Sequence, residues 1–360
     1  MAFASGLSKA RRSTGIHQTR GAFARAATRT LCVAAACAAA FGASSASNAA
    51  ELGKVGLGLP LLTSPFWQSY NNYLGAYAKQ DGIDILAPVN SNNDPVQQIT
   101  DMNNMINLGA KGIVVGPIDS AAISRALGNA AQKDVKVVAV DVAPTQGNVA
   151  MVVRADNRAY GEQACKYIGE HVKSGKVVQI MGDLASVNGR DRSEAFRACL
   201  KNYPNLSLLE IPAGWKGDVA ASALDSLLTA NPDVKGIYMQ AGGVYLSPTL
   251  QTLRRKQLLV PAGDPKHIVI VSNDGIPQEF EAIRKGEIDA TVSQPADLYA
   301  KYGLYYIKAA LEGKTFKPGK TDHDSTIIQL QSGVLEDQLP APLVTKQNVD
   351  DKNLWGNTVK

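Results

Sequence analysis

The sequence predicts an α/β fold of two doubly wound parallel-sheet lobes, with a ligand cleft between them, on three observations. Short aliphatic runs alternate with helical patterns of about 12 to 18 residues, the signature of parallel strands covered by helices. The alternation occurs twice, and each set ends on a carboxylate: VKVVAVDVAP runs into Asp141, and IVIVSNDGIPQEF breaks at Asn273-Asp274-Gly275. The sets also echo each other, LGAKGIVVGPIDSAAISRAL in the first against NPDVKGIYMQAGGVYLSPTL in the second, as two copies of one unit would.

The first set reads KVGLGL as a strand, a helix from Pro65, IDILA, a helix from Asp94-Pro95, GIVVG, a helix from Asp119-Ser120, and VKVVAVD. Proline suits a first helical turn, and Asp or Ser before it can accept from the N–H groups left free there. MVVRADNRAYGEQ follows as a short strand and a helix start capped by Asp156 or Asn157. The chain crosses between lobes at that point. The second set runs KVVQIM, a helix from about Arg192, LSLLEI, a helix from Asp218, GIYMQ, a helix from about Val244, and HIVIVSND. Beyond Asp274 come a further helix, DATVSQP, a long helix over 296–312, STIIQL and LVTK. The lobes are therefore not sequential, and several crossings are expected.

A chain of 360 residues with 45% hydrophobic content can fill two ordinary cores. Its formal charge of +5 comes from the start of the chain, which holds six Lys and Arg and no acid over residues 1–49; 31 of the 37 basic residues then face all 32 acidic ones. The remainder is near neutral, without the basic footprint of nucleic-acid binding. Arg11, Arg12, Arg20, Arg25 and Arg29, then LCVAAACAAAFGA, then SSASNAAE follow the order of a secretory signal peptide over 1–49, cut after Ala49 or, second, after Ala50. The Arg, Ser and Ala mix also fits a mitochondrial transit peptide, and a lipoprotein reading at Cys37 is weaker because Ala34 stands where a large aliphatic residue is usual. No other segment is apolar enough to span a membrane, so a free protein in an oxidising compartment is expected. Cys165 and Cys199 remain after cleavage, and a disulfide and two buried thiols are both open.

Ligands of open parallel sheets sit beyond the carboxyl ends of the strands. Asp141 and Asp274 stand at such ends, one per lobe, so a ligand between the lobes meets both. TSPFWQSY places Phe66 and Trp67 past the first strand, and IPAGWKGD places Trp215 past the second lobe's second strand. Aromatic faces and carboxylates together suit the C–H surfaces and hydroxyls of a sugar. NGRDRSEAF adds Arg190 and Arg192 at a helix start, one to donate and one to be solvated. Catalytic readings lack support: His171, His267 and His323 pair with no nucleophile motif, no HExxH or Cys/His metal spacing occurs, and Gly53, Gly56 and Gly58 do not make GxGxxG.

TSPFW, NNDPVQQ, VVAVD, ADN, GRDRSEAF, LLTANPDV, VSNDG, ATVSQP and LVTKQNVD, in this order from about Leu52 to Trp355, resemble the ribose/galactose-type periplasmic binding proteins, the solute receptors of sugar ABC importers with the type I fold. The resemblance implies three crossings, with lobes at 50–155 plus 295–325 and at 156–294 plus 326–360. It places Phe66 and Trp67 in an aromatic clamp, Asp141 and Asp274 as hydroxyl acceptors, Arg192 as donor, Trp215 as the opposing aromatic and Gln294 at the last hinge. It implies a periplasmic monomer that binds a sugar or polyol, needs no cofactor and docks on membrane permease subunits. Where ribose receptors carry Arg after the first Asp this chain has Val142; where they carry Asn it has Ala241 before Gly242-Gly243, and Ser64 also replaces Asn. These departures argue against ribose and leave two carboxylates against one Arg, which favours a neutral sugar or sugar alcohol unless Arg154 or Arg190 turns inward. A repressor of the same fold needs a helix-turn-helix where the leader stands, and an exported enzyme needs a nucleophile-base pair; a sensing receptor of the same fold is the alternative.

Overall fold

The computed structural model describes residues 52–359; the leader and its cleavage point lie outside the described residues. The first lobe opens with β1 (Lys54–Leu59), apolar on both faces as a strand covered on both sides must be. Then come α1 (Pro65–Gln80), β2 (Val89–Asn90), α2 (Pro95–Asn107), β3 (Ala110–Val115), α3 (Ser124–Gln132), β4 (Lys136–Val140) and β5 (Met151–Ala155). The second lobe holds α4 (Asn157–His171), β6 (Gly175–Met181), α5 (Val187–Leu200), β7 (Leu206–Pro212), α6 (Gly217–Ala230), β8 (Val234–Met239), α7 (Gly242–Arg255), β9 (Val269–Asp274), α8 (Pro277–Lys285) and β10 (Ala290–Ser293). A return portion adds α9 (Ala296–Leu311), β11 (Gly319–Lys320), β12 (Thr326–Gln329), β13 (Leu335–Leu339), β14 (Leu343–Thr345) and a closing 3₁₀ turn, Trp355–Asn357.

The first sheet is ordered β11-β12-β13-β5-β4-β3-β1-β2 and the second β14-β10-β9-β8-β6-β7. In each, the order reverses where two neighbours send their chains to opposite sides, at β1/β3 and at β6/β8. Such switch points leave a crevice beyond the strand ends. The chain passes between the sheets three times, from β5 into α4, from β10 into α9, and from β13 to β14. Helix α9 packs on α1, β3 and β4, whereas α4 packs on α5 and β9.

Several expected elements shift. β12 and β13 belong to the first sheet, because β13 pairs in parallel with β5, Glu336 opposite Val152; residues 326–339 are thus not part of the second lobe as expected. IDILA is no strand: Ile85 makes a lone bridge to Val55, and pairing resumes at Val89 only after Pro88, which has no N–H to donate. Asp119 accepts from the N–H groups of Ala121 and Ala122, closing a turn before α3 starts at Ser124. Helix α5 begins five residues before Arg192, at Val187, with Ser186 as its cap. At the first crossing Asp156, not Asn157, is the cap of α4. Cys165 of α4 and Cys199 of α5 form a disulfide. No helix among the described residues is long and apolar enough to cross a membrane.

Candidate functional site

All seven residues singled out from the sequence, Phe66, Trp67, Asp141, Arg192, Trp215, Asp274 and Gln294, line one cleft between the sheets. Asp141, Trp215, Asp274 and Gln294 follow strand ends, whereas Phe66 and Trp67 come from the first turn of α1 and Arg192 from α5. At Asp141 the backbone enters the left-handed region, φ 64°, while its N–H still donates to the carbonyl of Val153; β4 ends there and the carboxylate turns out of the sheet. Asp274, φ 115°, and Trp215, φ 59°, are held in the same region. Such backbones cost about 1 to 3 kcal/mol each and persist only where the surroundings enforce them. Three of the seven sit on backbone selected for position rather than ease.

The two carboxylates are nearly closed off from solvent. Asp141 accepts from Asn188 Nδ2 at 2.9 Å, a bond between lobes, and Asp274 Oδ2 accepts from the Gly243 N–H at 2.7 Å. Burial raises the pKa of Asp141, opposed by Arg192, Arg154 and the Asn188 amide. Burial pushes Asp274 up to about 7, against the pull of Arg192 and the Gly243 N–H, and the charge of Asp141 adds to the rise. Behind it, fully buried Glu279 accepts from the N–H groups of Gly275 and Ile276 and from the Thr291 hydroxyl. Burial, followed by the charge of Asp274, raises it to about 8.

Arg192 ties the crossings together. Its Nε donates to Asn157 Oδ1 at 2.6 Å, its Nη2 to Gln294 Oε1 at 2.6 Å and its Nη1 to the Gln240 carbonyl. Those partners lie at the first crossing, the second crossing and the end of β8. The guanidinium also stands 4.9 Å from the centre of Tyr160 and 5.8 Å from that of Trp215, within cation–π range. A guanidinium has five N–H groups, so two stay free for a ligand.

Neither of the other arginines enters the cleft. Arg154 is held by Asp191 at 2.9 Å and Glu336 at 3.6 Å, and Arg190 donates to the Leu184 carbonyl. The charged side chains lining the cleft are therefore Asp141, Asp274 and Arg192. The aromatic residues differ from a simple facing clamp. Phe66 and Trp67 meet edge to face at 5.2 Å, Trp67 covers Gly116, and Trp215 lies over Gly182 and stacks with Tyr245.

Asn188, Ser186, Ile118 and Val244 also line the cleft and were not singled out from the sequence. Asn188 had a signal: once Ser186 is taken as the cap, Asn188 and Arg192 stand four residues apart, on one helix face. The lobes touch at further points. Ser120 N–H donates to the Ala185 carbonyl at 3.2 Å, and Val187 N–H to Ser120 Oγ at 3.0 Å. No group of three or more His, Cys, Asp or Glu among the described residues could hold a metal ion.

Comparison with known proteins identifies the family and the fold. The family described as "Periplasmic binding protein domain" matches residues 55–315. The ribose import binding protein RbsB of Salmonella typhimurium is 26% identical over 277 residues, 76% of this chain and 90% of that one. The xylitol-binding protein of Mycolicibacterium smegmatis is 25% identical over 280 residues, 77% of this chain and 73% of that one. Among solved structures, an ABC transporter solute binding protein from Mycobacterium smegmatis with bound glycerol superposes with a TM-score of 0.72 at 24% identity, over 82% of this chain and 95% of that one.

Proposed function

The chain belongs to the periplasmic binding protein domain family, and on that premise we propose that it is the extracytoplasmic solute receptor of an ABC importer, enclosing a neutral sugar or sugar alcohol and delivering it to membrane permease subunits. One observation carries the choice of ligand: two buried carboxylates face a single Arg in the cleft, with Arg154 and Arg190 engaged elsewhere. With both carboxylates ionised, an anionic solute would meet net repulsion where charges are weakly screened. Hydroxyls donate to Asp141 and Asp274 and accept from Arg192, so a neutral polyhydroxylated solute satisfies both signs. Curated relatives that import ribose and bind xylitol support the same class.

The ligand-binding residues we assign are Phe66, Trp67, Asp141, Arg192, Trp215, Asp274 and Gln294. The protein acts as a monomer, by binding without turnover. Export follows from the leader, and the disulfide suits an oxidising compartment; mass analysis of the exported form should find it starting at Ala50 or Glu51. A thermal-shift screen against neutral sugars, polyols and sugar acids tests the ligand class, since a ligand of the native state raises its melting point. Tight binding of a sugar acid, with no response to any neutral compound, would overturn it.

A further inference from the structure

We infer that Glu279, which lies behind the cleft rather than in it, is a positioning residue for the second-lobe half of the site. It fixes the turn after β9, and through that turn the places of Asp274 and Gln294. The inference rests on the reading of those two residues as ones that hold a solute.

The turn needs holding. Asp274 and Gly275 both have positive φ, 115° and 76°, and both Gly275 and Ile276 are buried. Successive N–H groups that turn to one side form a concavity suited to an anion, and buried N–H groups require a partner. Glu279 supplies it from within the chain: its Oε2 accepts from the Gly275 N–H at 2.6 Å and from the Ile276 N–H at 2.9 Å. The opposite side of the turn bears on the second crossing. The Asp274 carbonyl accepts from the Gln294 N–H at 2.9 Å, and a Cβ on Gly275 would fall 2.8 Å from Ser293 Cα. Gln294 in turn accepts from Arg192 at 2.6 Å. One turn therefore sets where Asp274 presents its carboxylate and where Gln294 meets Arg192.

The other carboxyl oxygen braces the site from a second direction. Glu279 Oε1 accepts from the Thr291 hydroxyl of β10 at 3.0 Å, and the carboxyl lies against Gly242, where any Cβ would run into it. Gly242 opens α7, and the next N–H, that of Gly243, is the donor to Asp274 Oδ2 at 2.7 Å. The Gly242-Gly243 pair thus lets the start of α7 approach two carboxylates at once.

A Glu at the third position of a helix often reaches back to the N–H before the first turn, as a cap. Glu279 does that for α8 through Ile276. Capping alone leaves unexplained the second N–H, from Gly275 ahead of the cap, the complete burial and the seat against α7. Those contacts belong to the surroundings of Asp274 rather than to α8.

Three variants separate the reach of Glu279 from its carboxyl chemistry. Glu279→Gln keeps an acceptor for the turn and adds an amide that can donate to Thr291. Glu279→Asp keeps the carboxyl and loses a methylene of reach, and Glu279→Met fills the space without a strong acceptor. Each is titrated by calorimetry well below its melting point. The probe is whichever of D-ribose, D-allose, D-galactose and xylitol the unmodified protein binds most tightly. Glu279→Asp and Glu279→Met should bind it about tenfold or more weaker, the effect of one net hydrogen bond, at unchanged stoichiometry. Glu279→Gln should stay within about threefold of the unmodified protein. A cap that only stabilised α8 would lower the melting point and the number of competent molecules without moving the Kd of the rest. Unchanged Kd in Glu279→Asp and Glu279→Met therefore overturns the inference and leaves the receptor reading intact. Glu279→Gln as weak as Glu279→Met overturns it as well, because the acceptor would then not be what matters. Heat from none of the four compounds with the unmodified protein overturns both.

Discussion

At the scale of single residues, the chemistry of the cleft turns on Asp274. Its carboxylate can take two ligand hydroxyls, each charge-assisted bond worth roughly 1.5 to 3 kcal/mol. Asp274→Ala should therefore weaken binding by about a hundredfold or more, measured by calorimetry. Its titration gives a second expectation. The folded chain holds protons on Asp274 up to about 7 and on Glu279 up to about 8, whereas unfolded carboxylates release them near 4. Across that interval the native state binds more protons than the unfolded one, so stability falls as pH rises and is greatest at the acidic end. The ligand-free melting point should drop between about pH 5 and 8, and Asp274→Asn together with Glu279→Gln should flatten the slope. Hydroxyl donors favour the ionised carboxylate, so binding near neutrality should release protons, seen as heats that vary with the buffer. The carboxylates themselves were legible from sequence because an apolar strand that halts on Asp is conspicuous. Asn188 was not, since its place in the cleft depends on a helix start that Arg190 and Arg192 drew too far along the chain.

At the scale of elements, the position of Arg192 is set by how α5 lies on α4. Gly161 of α4 touches the backbone of α5: a Cβ there would fall 2.4 Å from the Arg192 carbonyl oxygen and 2.8 Å from the Phe196 N. Backbone cannot rotate away as a side chain can. Gly161→Ala should therefore part the helices, costing about 1 to 3 kcal/mol of stability and weakening ligand binding, read by denaturant unfolding and calorimetry on the same sample. The disulfide fastens the same pair of helices across 34 residues. Replacing both cysteines with alanine should lower stability by about 3 to 4 kcal/mol, with unfolding measured under non-reducing conditions. Strands buried on both faces read clearly as apolar runs, and that is why β1, β3, β4, β6, β8 and β9 were found. The two-residue edge strands β2 and β11 did not, because their hydrogen bonds and not their composition define them, and one interior strand was hidden as well. LEDQL, the sequence of β13, has Glu336 and Asp337 buried at its centre, where charged residues conceal a strand completely.

At the scale of the whole molecule, closure is the expected motion, with hinges at the crossings near Arg154 and Gln294. Saturating ligand should reduce the radius of gyration in small-angle scattering. Gly243→Val should abolish that reduction, because its branched side chain would occupy the place where Gly243 meets Ser64; an equal reduction in the variant would show that the lobes close elsewhere. The duplicated, doubly wound architecture could be read from the sequence because each lobe repeats the same alternation. Lobe membership past residue 325 could not, since it depends on which sheet edge the returning chain reaches.

The route of that returning chain bears on how the protein is made. β5 gains its second parallel neighbour, beyond β4, only when β13 arrives, Glu336 opposite Val152, and α9 must come back across the boundary to cover β3 and β4. During synthesis the first lobe is the first to emerge and among the last to finish. Pairings so distant along the chain form slowly, and until they form the β5 edge presents unpaired backbone to any other strand. A nascent chain of this kind stays extended for longer than a simple two-domain protein would, a state compatible with threading through a membrane and vulnerable to aggregation.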